Sequence, residues 1–231
     1  MSIKGISLFS GMGGDTLGLI NAGVEVIAFS ENNKTAIESH KENFGNCELI
    51  GSLENKFNII NIKDEDFSKY YGIVDLIFAG FPCQGFSKAG KKLSDDPRNT
   101  MFREFARVTK LIKPKYIIGE NVEGLLSRKT NSGETFINVI KEEFEKLGYD
   151  IYYEVFNVMR FNIPQKRKRL IIVGIRNDLH QSFEFPEFLN DGKKNLPNLK
   201  DIIKFSMDGA IKIEEEDFDM TEIPQECVIV D

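Results

Sequence analysis

The chain has 231 residues, enough for one α/β domain with a sizeable core and a small appendage, and its 36 acidic and 30 basic residues give a net charge of −6. No apolar run reaches membrane-spanning length and the N-terminus lacks the charged and apolar regions of a signal peptide, so a cytoplasmic protein is expected, or a nuclear one in a eukaryotic host. Cys47, Cys83 and Cys227 include no Cys-x-x-Cys pair, and His40 and His180 are the only histidines, which argues against a disulfide framework and against a metal site.

Residues 5–9, "GISLF", read as a short buried strand, followed by the Gly-rich turn "SGMGG" and a helix from about Asp15 to Ala22. Asp15 is the expected N-cap, and Gly23 suits the left-handed position after the last turn. "EVIAFS" (25–30) is a second strand, leading to Glu31 and a helix with Ala36, Ile37 and Phe44 on one face. "DLIFAG" (75–80) is too short for a helix and reads as a strand. Pro97 opens a helix carrying Phe102, Phe105, Ala106 and Ile112 at helical spacing, which stops before Pro114. "KYIIGEN" (115–121) is a further strand. The next helix turns Phe136, Val139, Ile140, Phe144 and Leu147 inward and ends at Gly148. Two β-rich runs, "YDIYYEVFNV" and "RLIIVGI", close a domain spanning 1–180. Strands alternating with helices predict an α/β fold with a parallel sheet, doubly wound with helices on both faces and with sites at the carboxyl ends of its strands. Residues 181–231 lose this regularity and carry 13 acidic against 5 basic residues, leaving residues 1–180 with 25 basic against 23 acidic.

Three stretches converge on that carboxyl edge. "FSGMGG" can bring a ligand close to backbone N–H groups at a helix start, and Glu31, about 20 residues on, is placed to accept ribose hydroxyls. Alone, the turn could be a mere connection and Glu31 a solvated glutamate. Cys83 ends the strand at 75–80, and Glu120 puts a carboxyl group at the end of the next one. With no histidine nearby, a thiol and an acid suit conjugate addition to an electron-poor ring whose nitrogen the acid protonates, rather than hydrolysis. An inert thiol is the alternative. "PQKRKR" (164–169), with Lys88, Lys91, Lys92 and Arg98 in the cysteine loop, makes one rim basic, where a polyanion would lie; a solvated basic turn is the plainer reading.

In order, "FSGMGG", "EN", "GFPCQGFS", "RNTMF", "GENV" and "PQKRKR" resemble the DNA (cytosine-5)-methyltransferases over roughly residues 3–178. The resemblance implies a class I methyltransferase fold with a mostly parallel sheet, S-adenosylmethionine as cofactor and double-stranded DNA as partner. It implies a cofactor site of Phe9, Gly11, Met12, Gly14, Glu31, Asn32, Asn61, Ile62, Gly80, Pro82 and Met101, with Phe9 on the adenine and Glu31 on the ribose. Cys83 would attack carbon 6 of a flipped cytosine, Glu120 would stabilise the protonated ring nitrogen 3, and Arg167 and Arg169 would hold the cysteine loop and the base. Gln84, Ser87, Lys88, Lys91, Lys92 and Arg98 would meet DNA as the loop 84–99 closes. The chain departs from the family pattern at Asn61-Ile62, where an aspartate is usual, and at Asn32, where an aromatic is usual. No Arg-x-x-x-x-Arg-Glu or Gly-Asn-Ser/Ala-Val segment follows residue 180. Residues 181–231 therefore read as the start of an incomplete target-recognition region. A large subunit completed by a second chain and a truncated product both remain open, as do a tRNA cytosine-5 methyltransferase and a catalytically silent regulatory subunit.

Overall fold

A computed structural model describes residues 2–50, 67, 69–82, 101–130, 133–163 and 165–187, all within a compact unit that runs from Met1 to Leu196. Its centre is a seven-stranded sheet: β1 (Ile3–Leu8), β2 (Val24–Ser30), β3 (Glu48–Leu49), β4 (Leu76–Ala79), β5 (Tyr116–Asn121), β6 (Tyr149–Asn157) and β7 (Lys168–Arg176). The spatial order is β3-β2-β1-β4-β5-β7-β6. Helices α1 (Gly14–Asn21), α2 (Lys34–Asn43), α3 (Met101–Ile112) and α4 (Phe136–Lys146) connect or follow these strands among the described residues.

The parallel part of the sheet is as the alternation of elements predicts: β1 pairs in parallel with β2 and β4, β2 with β3, and β4 with β5. β7 is the exception, antiparallel to both β5 and β6. The physical reason is the ten-residue link from β6 to β7, residues 158–167, which opens with a 3-10 turn at Val158–Phe161 and has Asn162 left-handed at φ 62°. A link of that length suits a hairpin return, whereas a parallel return needs a crossover of a dozen or more residues. Reversal carries the start of β7 to the edge where β5 ends, since Asn121 pairs with Leu170.

β2 holds an extra residue: Gly5 pairs with Val26 but Ile6 with Ala28, so Ile27 is a bulge. A bulge changes which face the following residues occupy. Val26 and Phe29, an odd spacing of three apart, accordingly join one apolar cluster with Leu19 of α1 and Ile37 of α2. The larger cluster joins Ile6, Leu8, Ile77 and Ile117 of the sheet to Phe102, Phe105, Val108 and Ile112 of α3 and to Ile137, Ile140 and Phe144 of α4. Phe105 and Phe144 meet at 4.8 Å between ring centroids. Phe136, Val139 and Leu147 pack at its margin. Gly148 ends α4 at φ 87° and Gly23 follows α1 at φ 85°. Pro97 lies outside the described residues.

One sequence expectation is revised. Asp15 is not the N-cap of α1: Gly13 takes that place at φ 94°, and Asp15 sits in the first turn with its carboxylate turned to Ser7 and Ser10. Residues 181–187, read as part of the irregular C-terminal segment, lie against the sheet edge. Phe183 meets Tyr152 at 5.9 Å, Phe185 meets Phe156 at 5.3 Å, and Tyr116 Oη donates to Gln181 Oε1 at 3.0 Å.

Candidate active site

The parallel strands end in step, Leu8 beside Ser30 and Ala79, and Ala79 beside Gly119, so whatever follows each strand gathers on one edge. Residues 9–14 leave β1 there in a turn whose alternate members are left-handed: Phe9 at φ 58°, Gly11 at φ 55° and Gly13 at φ 94°. A bulky residue at positive φ is uncommon, and such strain, about 1–3 kcal/mol, clusters at functional sites. The turn is tied down by Ser10 N donating to Ser30 O at 3.1 Å and Gly13 N to Ser10 O at 3.0 Å.

Glu31 closes over this turn. Its Oε2 accepts from Gly11 N at 2.8 Å, and its Oε1 accepts from Asn32 N at 2.7 Å and Asn33 N at 2.8 Å. Asn33 in turn caps α2 by accepting from Ala36 N at 3.0 Å. Three of the carboxylate's roughly four lone-pair positions are thus taken within the protein. Space lies open in front of the turn, because a Cβ built on Gly11 or Gly14 would meet nothing within 4 Å. Met12 is 68 % exposed beside it, and Asn32 is exposed. Gly80 stands across from the turn, donating its N–H to Leu8 O at 3.3 Å, with Pro82 half-buried two residues on. Met101, at the start of α3, is buried in the main core. Room beside a glycine turn, backbone donors and an acidic acceptor fit a cofactor with a ribose.

Glu120 ends β5 half-buried and takes an ion pair from Arg169 Nε at 2.7 Å, with Arg167 Nη2 at 3.8 Å from the same Oε1. Arg169 Nη1 also donates to Lys168 O at 2.8 Å, and Lys168 reaches Glu123 at 3.0 Å. The basic run therefore meets the carboxylates at the sheet edge because β7 is reversed. Asn121, which the sequence reading did not single out, is buried and donates from Nδ2 to Phe81 O at 3.1 Å, two residues before Cys83. Its signal was available: by strand alternation Asn121 points away from Glu120, into the side occupied by Ile117.

Cys83, Gln84, Ser87, Lys88, Lys91, Lys92, Arg98, Asn61 and Ile62 lie outside the described residues. Cys47, by contrast, is buried and donates to Val26 O at 3.1 Å, and burial pushes its thiol up to about 11, so it is an inert packing group. Among the described residues no group of three or more His, Cys, Asp or Glu side chains could hold a metal ion, and no helix is long and apolar enough to cross a membrane.

The model of the C-5 cytosine-specific DNA methylase family matches residues 3–226. The chain belongs to that family. It is 38 % identical over 205 residues to the type II methyltransferase M.Eco47II of Escherichia coli, covering 86 % of this chain and 45 % of the relative. It is 37 % identical over 211 residues to M.FnuDI of Fusobacterium nucleatum, covering 90 % and 57 %. Among solved structures, a DNMT2 variant from Spodoptera frugiperda superposes with a TM-score of 0.67 at 25 % identity, covering 89 % of this chain and 60 % of that one. The chain thus has the class I methyltransferase fold. It spans about half the length of the curated relatives it matches.

Proposed function

We propose that this chain is the cofactor-binding and catalytic part of a DNA cytosine-5 methyltransferase of the restriction-modification type. The observation that carries the reading is the ion pair of Glu120 with Arg169 at the edge where the glycine turn and the lead-in to Cys83 also end. A lone acid at a strand end has many uses. An acid held by two arginines, one strand away from a cysteine loop and two strands away from a glycine turn, matches the needs of one reaction.

In that reaction the target cytosine leaves the duplex, as chemistry on a base requires. The Cys83 thiolate adds to carbon 6, while Glu120 holds the proton at ring nitrogen 3 so that the negative charge from the addition is not left on the ring. Arg169 and Arg167 keep Glu120 aimed, and Arg169 is within the same cluster for the ring carbonyl oxygen. Carbon 5, made electron-rich by the addition, forms the new bond. S-adenosylmethionine, which residues 9–14 and Glu31 would hold, would supply the methyl group and leave as S-adenosylhomocysteine. Carbon 5 then gives its proton to solvent water acting as base and the carbon–sulfur bond breaks, which restores the aromatic ring and the thiolate. Asn121 fixes the backbone at Phe81, two residues before the nucleophile in the chain. Phe9, Gly11, Met12, Gly14, Asn32, Asn61, Ile62, Gly80, Pro82 and Met101 complete the cofactor site in this reading. Gln84, Ser87, Lys88, Lys91, Lys92 and Arg98 serve the DNA.

A requirement for a second chain is favoured by the apolar residues on the outer side of α1, where Leu17 and Ile20 are 51 % and 44 % exposed. Both questions are met by one experiment: duplex DNA containing 5-fluorocytosine, which has no removable proton at carbon 5, is mixed with the chain and S-adenosylmethionine, with and without a chain carrying the missing C-terminal segments. A covalent protein–DNA adduct that disappears in Cys83→Ser is expected. Adduct formation by the chain alone would remove the need for a partner, and absence of adduct in both arms would remove the catalytic reading. Competition with tRNA in the same assay separates the DNA enzyme from an RNA one.

A further inference from the structure

Beneath the glycine turn lies a line of polar side chains that neither the family match nor the reaction above uses. Ser7, Thr16 and His40 are wholly buried and Ser10 nearly so. Ser10 Oγ lies 3.0 Å from Asp15 Oδ1 and 3.2 Å from Thr16 Oγ1, and Thr16 Oγ1 lies 3.0 Å from His40 Nε2. Ser7 Oγ donates to the other oxygen of Asp15. The imidazole is stacked on Phe29, with centroids 3.6 Å apart and planes at 11°, and its Nδ1 is buried with no hydrogen-bond partner.

Donor counting makes this line directional. A carboxylate only accepts, so Ser10 must spend its one proton on Asp15. Thr16 must then donate to Ser10, and His40 Nε2–H must donate to Thr16. Every proton in the line is committed, which puts a proton on Nε2, and with no geometric partner for Nδ1 in a ring packed against Phe29 and Phe44 it favours the neutral Nε2–H tautomer. The line passes through Ser10, whose backbone N–H and carbonyl are the two anchors of the turn. Gly13 belongs to the same arrangement, since a Cβ there would come within 2.4 Å of Phe44 Cε2 and 2.8 Å of His40 Cδ2.

We propose that His40, Thr16, Ser10 and Asp15 form a one-way hydrogen-bond relay that positions the glycine turn for its cofactor, an inference that rests on the cofactor reading of that turn. These are positioning residues, acting through the backbone of residues 9–13 rather than by touching the cofactor. Hydrogen bonds in a dry, linked series support one another, so a break at Thr16 is felt at both ends.

The test uses the full chain. Imidazole nitrogen chemical shifts of the wild type should report a neutral Nε2–H tautomer for His40; an Nδ1–H tautomer would overturn the relay. Thr16→Val, which keeps the shape and removes the hydroxyl, should speed amide exchange at residues 9–13 and weaken S-adenosylmethionine binding by about tenfold. In methyl-transfer assays it should raise the KM for the cofactor more than it lowers kcat. Thr16→Ser should restore all three. A folded Thr16→Val with unchanged exchange and affinity would overturn the proposal. Should the wild type bind no cofactor while exchange still responds to Thr16→Val, the relay stands and the cofactor reading falls.

Discussion

Glu120 has two arginine neighbours, and their distances rank them. Arg169 is in direct contact at 2.7 Å and three-quarters buried, whereas Arg167 stands at 3.8 Å and is nearly half exposed. Loss of the close partner lets the carboxylate swing, and misplacement by an ångström costs about 100-fold in rate. Arg169→Ala should therefore lower single-turnover methyl transfer by about that factor, and Arg167→Ala by only a few-fold, with each changing stability by about 1 kcal/mol or less. Equal losses of rate in the two variants would contradict the ranking. His40 gives a pH dependence of known sign. Burial lowers its pKa below the usual 6.5, outweighing the upward pull of the Asp15 and Glu31 carboxylates. The unfolded chain therefore takes up the proton first as the pH falls. Stability contributed by neutral His40 is full above about 6.5 and is lost progressively below it, down to the folded-state pKa. Denaturation midpoints measured from about pH 7.5 to 5 should fall less in His40→Phe than in wild type. At this scale Glu31, Glu120 and the two arginines were legible because strand ends and ordered motifs mark them. The relay was not, because Asp15 at a helix start looks like a cap, and nothing in one dimension shows that Gly13 already holds that position.

Among the elements, β7 owes its place to side chains as much as to pairing. Gly174 faces Ile117 of β5 and Ile151 of β6, and a Cβ there would lie 2.5 Å from Ile117 Cγ1 and 2.9 Å from Ile151 Cδ1. Gly174→Ala should cost about 1–3 kcal/mol in urea denaturation. Pairing it with Ile117→Ala should give less than the sum of the two single losses, because the second change vacates the space the first one needs. A strictly additive pair would mean that the methyl is absorbed elsewhere. The helices were readable from apolar spacing, and α3 and α4 turn inward the residues that spacing selects. Strand direction and the bulge at Ile27 were not. An apolar run carries the same alternation in either direction, and an extra residue in β2 is visible only against its partner β1.

Across the whole molecule charge is divided unevenly. Residues 197–231 hold 10 acidic against 3 basic residues, so the compact unit ending at Leu196 has a net charge of +1 while the complete chain has −6. A chain ending at Leu196 should bind duplex DNA more tightly than the full chain at low ionic strength. The difference should shrink as salt approaches about 0.15 M, where the Debye length is about 8 Å. Fluorescence anisotropy titrations across salt concentrations would show it, and an advantage that persists undiminished at high salt would mean the acidic segment does not act through long-range charge. The reversal of β7 also bears on how the protein is made. Glu120 leaves the ribosome about 50 residues ahead of Arg169, which at roughly 5–20 residues per second is a wait of a few seconds. Until then the parallel strands can assemble with the glycine turn in place, but the acid at their rim has no counter-charge. The strands beside the glycine turn are thus complete before the arginines arrive, so in the proposed reading the cofactor site is built before the site for the base.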